Sequence, residues 1–411
     1  MLNEGLIIKK LDSGITAYFI NKKGYYMKHA LVGVNFGSIY NKFKIGGKFY
    51  EQPFGVAHFL EHKLFEEKNI NIMNEFVKLG ADANAYTNNT NTAYYFNTGE
   101  EFDKPFELLL KMVSNLYLTD ESVNNEKQII MQEINMYADY PAWNAYLNMM
   151  VGMYYNESFS KNIAGDLADI ENITKESLQA AYDAFYYPEN MCIICIGEID
   201  IDKTIAQINS NITGTNKKIE FIFDEEKPNT KNYFSEKKRP IENTIFTAGF
   251  KDNDINGDIL KNTVASKFLI DIMFGESSKF YEDMYTLGLI DNSFNGDYNN
   301  FKFFAANVLA GVSKGPKELF KHITEQVNLT KQNGISEKRF DQIKKKQIGL
   351  FIRGFNSIDN ISSLTLDLFS KGYDFMQFFD AYKNMELEYL TKRLFDSYTS
   401  NNYVLSVISP S

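Results

Sequence analysis

What this sequence lacks narrows its class. Only 43 basic residues stand against 53 acidic ones, a formal charge of −10. The basic face that a nucleic-acid binder turns to phosphates is therefore missing. No apolar run reaches the roughly 20 residues that a membrane-spanning helix needs. The start, MLNEGLIIKKLDSGITAYFINKK, lacks the charged-then-apolar-then-small pattern of a secretory signal. Cysteine is nearly absent, and its two copies sit together in Met191-Cys192-Ile193-Ile194-Cys195-Ile196. A redox role for such a C-x-x-C needs a helix N-terminus to lower a thiol pKa. The surrounding run reads instead as a buried strand, where positions three apart face opposite ways. Both are expected to be inert core thiols. These absences predict a soluble protein of a reducing cytosol, with no nucleic-acid partner and no membrane. The wealth of Asn, Lys, Ile, Tyr and Phe points to AT-rich coding of the bacterial kind.

What is present supports large cores: 44% of residues are apolar and 15% aromatic. A chain of 411 residues exceeds one ordinary domain. Short β-branched or aromatic runs open it, at 7–8, 15–20 and 30–36. From Gly55 the period becomes helical, with Val56, Phe59, Leu60, Leu64 and Phe65 on one side to about Glu67. A second helix over 70–79 is closed by Gly80, and a strand pair follows over 83–98. Helices are expected over 106–117 and 120–137, the latter stopped or redirected by Pro141. Helix 174–186, strand 191–197 and helix 202–210 complete a first unit over 1–220. The polar, turn-rich stretch 221–237 reads as a linker. A second unit over 238–411 repeats the grammar: strand 243–249, helices 258–273 and 278–287, strand 302–311, helices 315–333, 336–352 and 376–395, and strand 402–408. Strands and helices mix without strict alternation, so two α+β domains are expected.

Histidine is scarce too. The four are His29, His58, His62 and His322, and two of them share His58-Phe59-Leu60-Glu61-His62. On a helix, positions i and i+4 lie one turn apart on one face, so both imidazoles can converge on one ion. Glu61 sits on nearly the same side and can reach the ion's flank without binding it. Zinc accepts imidazole nitrogen and carboxylate oxygen in a tetrahedron, and a catalytic site keeps the fourth position for water. A nearby carboxylate can take that water's proton as it attacks a carbonyl. A third protein ligand is required. Glu66 is rejected, because eight residues from His58 span about 12 Å of straight helix. The better source is the helix Glu126-Lys127-Gln128-Ile129-Ile130-Met131-Gln132-Glu133. Glu126 and Glu133 lie two turns apart on one face, about 10 Å along the axis. One can bind the ion while the other supports it, and the residues alone leave open which does which.

Three collinear blocks carry a resemblance. Phe54-Gly55-Val56-Ala57-His58-Phe59-Leu60-Glu61-His62-Lys63-Leu64-Phe65, Ala83-Asn84-Ala85-Tyr86-Thr87 and Glu126 to Ile134 resemble the pitrilysin/insulinase-type metallopeptidases, whose inverted H-x-x-E-H signature is the first block's centre. The length is that of a half-size bacterial member related to the mitochondrial processing peptidase. The resemblance implies Zn2+ held by His58, His62 and Glu133, with Glu126 supporting the ligands and Glu61 as general base. It implies that Asn84 and Ala85 lie on an edge strand receiving the substrate as an added strand, and that Phe65 lines the pocket for the residue after the cleaved bond. It also implies two homologous domains per chain, the second without a metal site, forming half of a clam-shell chamber for peptides or unfolded and leader segments. One feature departs from the family. Active members carry an arginine and a tyrosine seven apart around a distal Gly-Leu, whereas alignment on Gly288-Leu289 puts Met284 and Asp291 there. Loss of a donor to a developing oxyanion is worth about 3 kcal/mol or more of barrier. A homologous metal-less partner in a heterodimer is therefore expected to supply both side chains, in preference to a plain homodimer. The competing expectation is a non-catalytic peptide-binding or scaffold subunit.

Overall fold

The computed structural model describes residues 5–22, 24–68, 70–255 and 257–411. Along the chain the strands are β1 (Leu6–Lys10), β2 (Thr16–Ile20), β3 (Lys28–Val34), β4 (Lys42–Ile45), β5 (Lys48–Glu51), β6 (Glu66–Glu67), β7 (Ile70–Asn71), β8 (Ala81–Thr87), β9 (Thr92–Thr98), β10 (Met191–Ile196), β11 (Ile219–Phe221), β12 (Phe234–Arg239), β13 (Ile245–Asp252), β14 (Asn295–Asn300), β15 (Ala305–Val312) and β16 (Tyr403–Pro410). The helices are α1 (Val56–Lys63), α2 (Ile72–Lys78), α3 (Asp103–Ser114), α4 (Asp120–Ala138), α5 (Pro141–Met153), α6 (Glu157–Ser160), α7 (Leu167–Asn172), α8 (Lys175–Phe185), α9 (Ile201–Asn211), α10 (Ile259–Phe274), α11 (Lys279–Thr286), α12 (Pro316–Asn333), α13 (Glu337–Gly354), α14 (Ile358–Lys371), α15 (Phe375–Lys383) and α16 (Leu387–Ser397).

Two sheets carry the fold. One runs β1-β2-β10-β3-β9-β8, the other β12-β16-β13-β15-β14. Each is antiparallel except at one pair, β2 with β10 and β12 with β16. Without β1 the two orders correspond strand for strand. This is the mixed, antiparallel-rich α+β class read from the sequence, built twice. The central strand β10 is buried at every position, so it reads as a continuous apolar run rather than an alternating one. Cys192 and Cys195 lie in it, unpaired and buried, and burial pushes both thiols well above their usual range.

The chain divides into two compact units. The first holds Met1–Ile134, Asn162–Phe223 and Ser357–Tyr373; the second holds Asn135–Lys161, Asp224–Asn356 and Asp374–Ser411. A single linker over 221–237 describes only part of this. The passage at Phe223–Asp224 falls inside it, but β12 begins there too, and two segments are exchanged. Helix α5 packs on β13 and β16, and α14 packs on β3 and β10. The two sheets make room in the same way. A Cβ on Gly33 of β3 would stand 2.2 Å from Leu366 Cδ1 of α14. On Gly249 of β13 it would stand 2.4 Å from Met149 Sδ and 2.5 Å from Met153 Cε of α5. The expected helix 376–395 is instead two helices, α15 and α16, broken at Asn384–Glu386. No described helix is long and apolar enough to cross a membrane.

Candidate metal centre

Helix α1 begins at Gly55, whose φ of 87° suits a residue without a side chain. A Cβ there would lie 2.4 Å from the Ala164 carbonyl oxygen, so the helix start is pressed against backbone. Val56, Phe59 and Leu60 are buried and fix the helix's rotation. That rotation places His58 and His62 side by side, ring centroids 4.7 Å apart.

Helix α4 brings the carboxylates. Val123, Glu126 and Ile130 are its buried residues, a stripe of spacing three and four that Glu133 continues. His58 Nε2 is 3.6 Å from Glu133 Oε1, and His62 Nε2 is 3.5 Å from Glu133 Oε2. One ligand atom from each of the three lies within 4.8 Å of the others. These spacings exceed a hydrogen bond. They match the roughly 3.4 Å edge of a tetrahedron with zinc–nitrogen or zinc–oxygen bonds of about 2.1 Å. The donor chemistry, two imidazoles and a carboxylate, suits the same ion. Glu126 is set differently. Its Oε1 lies 2.8 Å from His62 Nδ1, so it accepts that N–H and leaves Nε2 turned toward Glu133.

The local field separates the groups. Burial, reinforced by His62, lowers the His58 pKa to about 3, keeping it neutral and free to bind a cation. At His62 burial acts in the same sense, but the bond and charge of Glu126 outweigh it and raise its pKa. Burial raises the Glu61 carboxyl, opposed by a hydrogen bond from Thr87. Thr87 Oγ1 donates to Glu61 Oε2 at 2.6 Å. A carboxylate so held, outside the ligand set, is placed to exchange a proton.

Among the described residues, strand β8 forms one edge of the first sheet and pairs only with β9. Asn84 on it is exposed and Ala85 half-buried; the Ala85 N–H donates to the Asn84 side-chain oxygen at 2.8 Å. Phe65 is half-buried just past α1, its ring centroid 6.2 Å from that of Tyr94. In the second unit Met284 is buried, and Asp291 accepts bonds from the Ser293 N–H and hydroxyl. Sequence reasoning missed Thr87, although it ends the Ala83–Thr87 block, and Lys63. It weighed Glu66 only as a ligand. A lysine among the apolar residues of a helix is the signal that was available.

Fold and donor set together are those of the inverted-motif zinc peptidases as a class. The particular family follows from comparison. The profile of the insulinase family, peptidase family M16, matches residues 34–166, and that of the peptidase M16 inactive domain matches 172–347. The uncharacterized zinc protease YmfH of Bacillus subtilis is 33% identical over 380 residues, 88% of this chain and 86% of that protein. The chain belongs to peptidase family M16. A crystal structure described as an M16-like peptidase from Alicyclobacillus acidocaldarius matches with a TM-score of 0.94 at 28% identity, covering 99% of this chain and 98% of its own. The periplasmic protease PqqL from Escherichia coli shares the fold at a TM-score of 0.76 and 14% identity, with all of this chain on 48% of that one.

Proposed function

We propose that this chain is a zinc-dependent endopeptidase acting on peptides or unfolded and leader segments. The observation that carries the reading is the approach of Glu133 to both imidazole Nε2 atoms at tetrahedral-edge distances, with Glu61 beside them and outside the set. His58, His62 and Glu133 would hold the ion, and Glu126 would orient His62. A zinc ion bound there supplies a water of pKa about 7 and polarises a carbonyl. Glu61, steadied by Thr87, would serve as the carboxylate that takes up a proton and returns it to the leaving amine. The free edge of β8 receives the substrate as an added strand. Its chain would displace the Asn84 amide from the Ala85 N–H, and Phe65 would meet the residue after the cut.

Met284 and Asp291 offer no cationic donor to an oxyanion, so the catalytic form is a heterodimer with a metal-less relative that provides one. The buried, unpaired thiols accord with the cytosol. The test is paired. The wild-type chain, alone and with such a relative, should hold about one zinc and cleave mixed peptides. Glu61→Gln should keep the zinc and lose about 10³-fold in kcat. A gently prepared wild-type chain without zinc overturns the reading. Zinc without cleavage in either form favours a binding or scaffold subunit.

A further inference from the structure

Lys63 follows His62 directly and has no place in the chemistry above, yet its side chain is wholly buried. Taking an ammonium out of water costs several kcal/mol unless it is well paired. Its partner is Glu66, one turn on, which accepts from the Lys63 ammonium. The Glu66 carboxyl stands next to that of Glu126, and Glu126 accepts from His62 Nδ1 at 2.8 Å. A chain of contacts thus runs Lys63, Glu66, Glu126, His62, ending on the ring that faces Glu133. All four residues belong to the first unit. The Glu66 side chain is partly exposed, at 37%, whereas Lys63 has no solvent to fall back on. Its charge is committed inward.

We propose that Lys63 is a positioning residue: acting through Glu66, it holds the Glu126 carboxyl against His62 Nδ1 and so keeps His62 Nε2 aimed at the metal position. The inference rests on the zinc reading. Without the ammonium, two carboxyl groups face one another with nothing between them, and Glu126 turns away from the imidazole. A glutamine at 66 cures this, because its amide donates to Glu126.

The experiment measures zinc affinity by competition with a chromophoric chelator, alongside the nitrogen NMR of the His62 ring in the zinc-free chain. Lys63→Met should weaken zinc about tenfold, the scale of losing an outer partner of a ligand. It should also mix the ring's two tautomers, where the wild type is protonated at Nδ1. Adding Glu66→Gln to Lys63→Met should restore most of the affinity, which a merely space-filling lysine would not allow. If Lys63→Met fails to fold by circular dichroism, Glu66→Ala cuts the same chain at its exposed member and should show the same loss. Zinc bound as tightly as in wild type, or more tightly because a positive charge has gone, overturns the inference, and so does failure of the second substitution to rescue. A wild-type chain that takes no zinc would fail the parent reading instead.

Discussion

The two units use one topology and put different chemistry on the same helix pair. In the first, α1, which follows β5, meets α4, the second helix after the β8–β9 hairpin, and His58 and His62 face Glu126 and Glu133. In the second, α10 and α13 occupy the corresponding places. Asp271 of α10 is buried, and both its oxygens are taken, Oδ1 by Lys346 at 2.7 Å and Oδ2 by Gln347 at 2.8 Å. The first arrangement leaves Glu133 at ligand spacing from two imidazoles; the second gives each carboxylate oxygen a side-chain donor. A helix pair becomes a metal centre when its polar groups are brought near each other without satisfying each other. The same pair becomes a strut when they do.

The sharpest way to break this comparison is to alter one carboxylate in each. Glu133→Gln should weaken zinc at least a hundredfold and abolish cleavage while leaving the metal-free melting temperature nearly unchanged. Asp271→Asn should leave zinc content untouched and cost about 1–3 kcal/mol of stability, since it removes the charge beside the Lys346 ammonium and turns one of two acceptors into a donor. Chelator competition and thermal unfolding together separate the outcomes. Zinc loss in Asp271→Asn would erase the distinction.

A second test uses the exchanged helices. Gly33→Ala drives a methyl into Leu366, a short branched side chain with few other rotamers, and should cost about 1–3 kcal/mol. Gly249→Ala meets the tips of Met149 and Met153, which bend more readily, and should cost less than about 1.5 kcal/mol. Denaturant unfolding of the two variants gives the order directly, and Leu366→Ala should recover part of the first loss. Equal costs would mean that the two sheets hold their borrowed helices alike.

Much of the local structure was legible before any coordinates, and much of its assembly was not. The apolar period from Val56 announced α1, though the helix stops at Lys63, because Glu66–Glu67 turns into a two-stranded ribbon with Ile70–Asn71. The seven-residue spacing of Glu126 and Glu133 put both on one face of α4 but left open which of them meets the imidazoles; in the structure Glu133 lies 3.6 Å and 3.5 Å from the two rings' Nε2 atoms. Strand β14, Asn-Gly-Asp-Tyr-Asn-Asn, went unseen because its composition disfavours strands; pairing with β15 imposes the conformation. The exchange of α5 and α14 was invisible for a deeper reason. Periodicity tells which face of a helix is apolar, never which sheet that face will meet. Pro141, expected to stop or redirect the helix before it, follows the end of α4 at Ala138 and is the first residue of the next helix.

The smallest expected effect again contrasts the units, through their histidines. His29, His58 and His62 belong to the first and only His322 to the second. His29 is buried, with Nδ1 2.9 Å from Asn97 Oδ1 and Nε2 2.8 Å from Ser362 Oγ. Burial lowers its pKa, against the opposing pull of the Asn97 bond, and burial lowers that of His58 to about 3. Below about pH 6.5 the unfolded chain takes up protons at both that the folded chain refuses, so stability falls as pH falls. His62 works the other way: its raised pKa adds stability below its unfolded value and loses it as pH rises through the folded one. Glu61, whose carboxyl is raised, works with His62, but the large shift is the one at His58, so the zinc-free first unit should lose stability between pH 6.5 and 5.5 while the second changes little. Hydrogen exchange at the two pH values, read on β3 and on β13, distinguishes the units. His29→Gln should exchange faster on β3 at pH 7.5 and yet gain less exchange on acidification. An acid response in β13 equal to that in β3 would remove the buried imidazoles as its cause, because the second unit has none to protonate among its described core residues.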